Sequence, residues 1–360
     1  MLSVHLFSCS SPENRVEDNS ADKETFDSNV RSFQTKFIKG FENEDHGLII
    51  SLFADSVKWT GPDKQLLNQI SSYNELSDAT EIKFNHLEIL QTIDHIKLFN
   101  SFNPYDFGII SYLHSQNDIL AAGGSVHSLS ISIGVPFSKN LTESFYLEYF
   151  MRGIQNEVTR DGVLLASGHS YQTDEPAITL TMNGSISQKS NKSLAAKGNL
   201  IYLSKPLGTG YLLAAYFQNS KLLSVSDFEK LLKHLKTGND LAAKSGFSCG
   251  SQLMTDISGF GLASHLGDIC QSSNLSAQIQ LNNDILINDK LEILKNFESS
   301  GYKNNYLSSF NTIDIKESHP LYKIIFDPQT NGPLLISIDK EKKNEFENNF
   351  EKNYLMKPLL

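Results

Sequence analysis

Cysteine is scarce in this sequence: Cys9, Cys249 and Cys270 are the only three in 360 residues. An odd number at such wide spacing fits neither a disulfide framework nor a zinc site, so a reducing compartment, the cytoplasm, is the default localisation. Long apolar runs are missing as well, and none approaches the roughly 18 residues that a transmembrane segment needs. Positive charge is in deficit: 31 Lys and Arg stand against 41 Asp and Glu, a formal net charge of −10, which argues against nucleic acid as a partner. Heptads and internal repeats do not occur. What remains is a chain long enough for two domains of ordinary size, each with its own core.

The first 27 residues read as a signal-like or disordered leader. Leu6-Phe-Ser-Cys9 resembles the end of a bacterial lipoprotein signal, although no basic start precedes it, and export through Cys9 is the alternative localisation. Residues 10 to 25 are polar and charged and predict a linker. In the next segment, 28–77, Asn29 to Phe41 and Asp45 to Phe53 predict amphipathic helices. Ser56 to Trp59 predicts a short strand ending at the Gly61-Pro62 turn. The string FIKGFENEDHGLIISLFADSVKWTGPD resembles the opening of the NTF2-like (SnoaL-like) α+β fold. Only the first part of that fold is present, and no chemistry is assigned to it.

The stretch Met254-Thr-Asp-Ile-Ser-Gly-Phe-Gly-Leu-Ala-Ser-His265 organises the rest. Asp256 stands ahead of Gly259 and Gly261, which permit positive φ or a close backbone approach, and Leu262 to Cys270 has helical apolar spacing. A helix N-terminus attracts anions, and a carboxylate beside one usually holds a cation that holds the anion in turn. The plainer alternative is that Asp256 caps the helix. Upstream, Leu87 to Ile93 predicts a strand that delivers Asp94 to a sheet edge. Asn103-Pro104 starts a helix that should run to Ala122 and stop at Gly123-Gly124. Asp118, in the last turns of that helix, opposes the macrodipole, which makes it a better ligand candidate than an arbitrary aspartate.

Strands are expected at Ser128 to Val135, Val163 to Ala166, Ala177 to Ser185, Asn199 to Leu203 and Ala277 to Leu281, with a last one ending at Ile338. Helices are expected at Glu143 to Arg160, Asp227 to Lys244, around Asp289 to Glu298 and at Lys340 to Lys352, with a polar loop through Lys316. The polar run Gln188 to Ser193 marks a domain boundary. Lys205-Pro-Leu-Gly-Thr-Gly210 is not a Walker A loop, so P-loop chemistry is not implied.

Taken together, these strings resemble selenophosphate synthetase (selenide, water dikinase), a family of the PurM-like ATP-binding superfamily, from about Asp78 to about Phe350. Met254 to Leu266 is similar to the family's TDVTGFGLLGHL metal motif. Asp78-Ala79 and Thr92-Ile-Asp94 resemble its two acidic motifs, and Asn117-Asp118-Ile-Leu-Ala-Ala-Gly-Gly124 its Ser-Asp-x-x-Ala-Met-Gly-Gly. Ser167-Gly168-His169 corresponds to a Gly-Gly-His segment whose backbone lies against the nucleotide phosphates, with Ser167 in place of the first glycine. Lys205 to Gly210 matches Lys-Pro-Leu-Gly-Thr-Gly, and Asp327-Pro-Gln-Thr-Asn-Gly-Pro333 resembles the closing Asp-Pro-Gln-Thr-x-Gly-Gly, with Pro333 at the second glycine.

The resemblance implies an α+β, PurM-like two-domain architecture. Residues 78–190 would form the ATP-binding domain, whose mixed sheet dimerises, and 191–355 an α+β C-terminal domain. It implies metal ligands at Asp78, Asp118 and Asp256, nucleotide contacts at Asp94, Asp118, Ser167, Gly168 and His169, and a homodimer. Four carboxylates brought together with a triphosphate repel one another unless divalent cations lie between them, so Mg2+ and ATP are the implied cofactors. The implied reaction makes selenophosphate, AMP and phosphate from MgATP, selenide and water. The sequence also departs from the family. Nothing between Ser10 and Ser77 matches the glycine-rich Cys/Lys stretch thought to handle selenium, and Ile109 and His114 replace the usual Arg and Asn. No catalytic nucleophile is therefore assigned. A catalytically inactive, nucleotide-binding partner or regulatory subunit is the alternative, and a relative of thiamine-monophosphate kinase is a weaker one.

Overall fold

A computed structural model describes residues 78–354, except 85–86, 99–101, 137–141 and 219–220. The expectations for the leader and for the NTF2-like segment lie outside the described residues. Contacts divide the chain after Asn68, and everything described belongs to the second unit.

The first sheet contains β1 (Thr80–Phe84), β2 (Leu87–Lys97), β3 (Gly124–Pro136), β4 (Leu164–Thr173) and β5 (Ala177–Ile186), in the order β1-β2-β5-β3-β4. All neighbours are antiparallel except β3 and β4, which are parallel and are joined by a helix. Period-two alternation sorts the side chains. Leu129, Ile131, Ile178, Leu180 and Met182 face α1 (Pro104–Ala121) and α2 (Thr142–Asp161), where Phe107, Leu113, Phe150 and Ile154 complete the core. No helix among the described residues covers the other face, which exposes Ile93, Leu164 and Tyr171.

Helix α1 starts as its sequence predicts. The Asn103 side chain accepts from Tyr105 N, Pro104 occupies the first turn, and the chain turns away at Gly123, where φ is +86°. Its residues join all three apolar clusters of the unit: Phe107 and Leu113 pack on the first sheet, Ile110 in the second core, and Leu120 and Ala121 in the third. A helix used on every side has no polar face, and the burial of fourteen of its residues fixes the position of whatever else it carries.

The second sheet, in the order β6-β8-β7, is antiparallel. It consists of β6 (Leu200–Leu203), β7 (Met254–Asp256) and β8 (Leu334–Ile338). Central β8 is buried along its whole length, Leu335 in one core and Leu334, Ile336 and Ile338 in the other. Around this sheet pack α3 (Thr209–Phe217), α4 (Val225–Leu235), α5 (Asp240–Ser248), α6 (Gly261–Ser273), α7 (Leu291–Asn296), α8 (Tyr302–Ser309) and α9 (Lys343–Tyr354). None of the described helices is long and apolar enough to cross a membrane.

Three expectations for this half need correction. The single helix at Asp227 to Lys244 is two, α4 and α5, broken at Thr237-Gly238-Asn239, where the backbone and the Asn239 side chain are drawn into a buried polar network. No strand forms at Ala277 to Leu281: the segment stands off from β6, leaving β6 an edge strand and a cleft of about 900 Å3 lined by Leu200, Ile201, Leu266, Ala277 and Ile279. The polar loop before Lys316 contains α8, ordered by Tyr302, Tyr306 and Phe310, which stack at successive turns.

Of the two glycines at the start of α6, only Gly261 is required. Its φ is +74°, and an added Cβ would lie 2.9 Å from the Phe326 carbonyl carbon, whereas a Cβ at Gly259 would meet nothing within 4 Å. Gly261→Ala is expected to lower stability by about 1–3 kcal/mol, read from the urea midpoint, while Gly259→Ala leaves it within about 0.5 kcal/mol.

Candidate functional site

Four separate stretches bring Asp78, Asp94, Asp118 and Asp256 close enough for their charges to perturb one another. Asp78 stands just before β1, Asp118 lies in the last turn of α1, and Asp256 ends β7 opposite Leu334. Asp94 is not at a sheet edge. The apolar stretch ends at Ile93, but the ladder to β5 continues to Lys97, so Asp94 pairs with Leu180 in the interior of a strand. Thr92 and Asp94 share the helix-facing side of β2, and Thr92 Oγ1 donates to Asp118 Oδ2 at 2.5 Å. Asp256 does not cap α6: the capping position is Phe260, and no side chain bonds there.

Burial and mutual repulsion make Asp78, Asp118 and Asp256 reluctant to ionise together. Burial pushes Asp256 up to about 8, with Asp78 and Asp94 adding to the shift and Lys192 opposing it. Asp118 is held well above the usual carboxylate range by burial, then by Asp256 and Asp94. Burial also raises Asp78, against the pull of Lys192, whose Nζ lies 2.6 Å from Asp78 Oδ1. Asp94 Oδ2 is buried and has no hydrogen-bond partner among the described residues. The nearby His265 imidazole is pushed down to about 3 by burial.

These features fit a divalent cation. Among the described residues no three acidic, histidine or cysteine side chains close on a single metal-sized point. Magnesium does not need such a cage, since it keeps water and takes one or two carboxylates together with substrate phosphates. The orphaned Asp94 oxygen and the crowded charges of Asp118 and Asp256 are what such an ion would satisfy.

Ser167, Gly168 and His169 are not brought to these carboxylates within one chain. They lie in β4, and Ser167 Oγ donates to Ser130 Oγ at 2.8 Å on the open face of the sheet. Asp94 is on the opposite face of β2, three inter-strand spacings or about 14 Å away.

The two C-terminal motifs serve each other. Gln329 Oε1 accepts from the backbone N–H groups of Gly208 and Thr209 at 2.9 and 3.1 Å, and Asp327 Oδ2 accepts from Gly210 N at 3.1 Å. Together they satisfy the start of α3. Lys205 is almost fully buried. Its Nζ donates to the carbonyls of Thr237 and Asn331 at 2.8 and 2.7 Å, and burial lowers the ammonium to about 7. Asn331 is bonded in turn to α1: its Oδ1 accepts from Asn117 Nδ2 and its N–H donates to His114 Nδ1. The motifs therefore brace the helix that presents Asp118. The cleft beside β6 contains none of the candidate residues.

Sequence reasoning assigned no role to Lys192, to Thr92 or to the Asn117-Asn239-Asn331 network. Lys192 lies in the polar run taken as a boundary, and nothing local marks a lysine there as buried. Thr92 was within reach, because it shares a β2 face with Asp94.

Residues 77–186 match the AIR synthase related protein N-terminal domain family, and residues 196–357 match its C-terminal domain. The selenide, water dikinase of Shewanella sp. strain MR-7 is 30% identical over 272 residues, covering 74% of this chain and 76% of that protein. The enzyme of the same name from Pasteurella multocida strain Pm70 is 28% identical over 314 residues, 82% of each chain. Among solved structures, thiamine monophosphate kinase from Aquifex aeolicus aligns with a TM-score of 0.56 at 17% identity, over 77% of this chain and 86% of that one. The hydrogenase maturation protein HypE in complex with ATP aligns at 0.55 and 16%, over 77% and 76%. At those identities the structural likeness speaks for the PurM-like fold alone, whereas the sequence matches decide the family: the chain belongs to the selenide, water dikinase family of AIR synthase related proteins.

Proposed function

We propose that this chain is a selenophosphate synthetase-like phosphotransferase that makes selenophosphate, AMP and phosphate from MgATP, selenide and water. The observation that carries this reading is the convergence of Asp78, Asp94, Asp118 and Asp256 from distant parts of the sequence onto one charge-crowded region. Asp78, Asp118 and Asp256 would hold magnesium, with Asp94 and Asp118 facing the nucleotide; the metal, when bound, orients the phosphoryl group and neutralises developing charge. Thr92 and the braced α1 fix the direction of the Asp118 carboxylate. Residues 78–190 act as the nucleotide-binding domain and 191–355 as the domain that supplies Asp256.

The open face of the first sheet supports a homodimer in this reading. Ile93 and Leu164, 67% and 65% exposed, are large apolar residues on a sheet that a second copy would cover. Such pairing would also carry the Ser167-Gly168-His169 backbone to the nucleotide of the other chain, which the strand order prevents within one chain.

A second reading, nucleotide binding without catalysis as a partner or regulatory subunit, draws on the absence of a Cys/Lys segment between Ser10 and Ser77. Of the described thiols, Cys249 is buried and Cys270 is pushed up by burial, so Cys270 is not a ready thiolate. Phosphorus NMR of the chain with MgATP and selenide under anaerobic conditions decides between the two. Selenophosphate and AMP appearing together are expected for the synthetase. Bound but unchanged ATP would replace it with the second reading.

A further inference from the structure

Lys192 has no role in the reading above, yet it is the one cation in direct contact with the aspartate cluster among the described residues. Its Nζ and Asp78 Oδ1 are 2.6 Å apart, and the two side chains are only 8% and 9% exposed. Its backbone is fixed from several directions. Asn191 caps the short turn Lys192–Leu194 by accepting from Ser193 N, and Asn191 N donates to the Gln252 carbonyl. Ser190 Oγ accepts from Met254 N, which stitches the segment to β7 two residues from Asp256. On the other side the hydroxyls of Ser272 and Ser273, at the end of α6, both donate to the Lys192 carbonyl. A side chain delivered this way is not a surface lysine that has folded inward.

We propose that the Lys192 ammonium is a built-in counter-ion standing in for one divalent cation at Asp78, so that divalent ions are held by Asp94, Asp118 and Asp256 without Asp78. The inference rests on the reading of this cluster as the metal site and adds which carboxylate is withdrawn from it. A metal ion reaching Asp78 would have to expel the ammonium and leave it buried without its partner, which is far costlier than breaking an exposed pair. A single ammonium at that place also cannot balance four carboxylates, so ionising the other three still requires divalent ions.

The test counts Mn2+ ions per chain by electron paramagnetic resonance in the presence of the β,γ-methylene analogue of ATP. Asp78→Asn should leave the number bound unchanged, whereas Asp256→Asn should lower it by at least one. Lys192→Met, with Asp78 intact, should raise it by one and bring a Mn2+-dependent rise in melting temperature larger than that of the unaltered chain. Should Lys192→Met fail to fold, the double variant Lys192→Met/Asp78→Asn, which leaves no unpaired charge, should fold and bind the unaltered number. An equal loss of Mn2+ in Asp78→Asn and Asp256→Asn overturns the proposal, as does a folded Lys192→Met with no added ion. If the unaltered chain binds no Mn2+ with the analogue, the functional reading fails. A gain of Mn2+ in Lys192→Met would then still support the counter-ion, and no gain would overturn it.

Discussion

Asp118→Ala and Asp256→Ala each abolish magnesium-dependent nucleotide binding, weakening it by about 100-fold or more, because each removes an anionic ligand from a site whose affinity follows the number of such ligands. The same substitutions should not cost the fold much. Asp256 is 2% exposed and is raised by burial and by Asp78 and Asp94, so in the metal-free protein keeping this carboxyl buried is unfavourable. Removing it is expected to hold or raise the melting temperature. For Asp118 the gain is smaller, since Thr92 Oγ1 loses its acceptor. Calorimetric titration with a non-hydrolysable ATP analogue, with and without Mg2+, reads the first effect, and a thermal melt reads the second. Unchanged affinity in both variants would remove these aspartates from the metal site. Lost affinity together with a collapsed melt would mean that they are structural.

Helix α1 could be read to within a residue at each end, because its signals are local: an Asn that caps, a Pro in the first turn, a Gly pair at the exit. The last strand was similarly expected to end at Ile338, and β8 does end there, buried along its whole length. The errors occurred where tertiary contacts override local pattern. The break between α4 and α5 is set by Lys205 and Asn117 reaching Thr237 and Asn239 from elsewhere in the chain. Helix α8 looked like loop because its polar residues mask three aromatics at helical spacing, two of which, Tyr302 and Tyr306, pack edge-on against the distant Phe326. Ala277 to Leu281 alternates well enough for a strand, but alternation does not supply a neighbour.

The same division runs through the site. The family motifs pointed to the four aspartates, and the structure places them where their charges meet. It could not be read from those motifs that Lys205 to Gly210 and Asp327 to Gln329 are two halves of one buried brace, since the backbone N–H groups of Gly208, Thr209 and Gly210 find their acceptors about 120 residues away. Nor did any motif mark Lys192. Its burial depends on β7 and α6 closing on either side of a segment that, in isolation, is a string of polar residues.

Proton release should accompany metal binding and give it a steep pH dependence. In the metal-free protein burial first and Asp78 next push the Asp256 carboxyl up to about 8, from an ordinary carboxylate. A bound Mg2+ requires the carboxylate, so below that value a proton must leave for each ion that engages it. Affinity for Mg2+ with the nucleotide analogue is therefore expected to fall by at least about tenfold per pH unit below about 8, at least roughly 100-fold between pH 8 and pH 6, because Asp118 must shed its proton as well. Stability of the metal-free chain should move in the opposite direction. Between about pH 4 and pH 8 the folded state holds a proton on Asp256 that the unfolded chain has lost, so the melting temperature falls as pH rises through that window. Saturating Mg2+ with the analogue removes much of this slope, because the ion then favours the ionised form. Calorimetry in two buffers of different ionisation enthalpy counts the protons released per ion. A value near zero at pH 6.5, with affinity flat from pH 6 to 8, would show that Asp256 is already ionised in the free protein and that the cluster is less crowded than its geometry indicates.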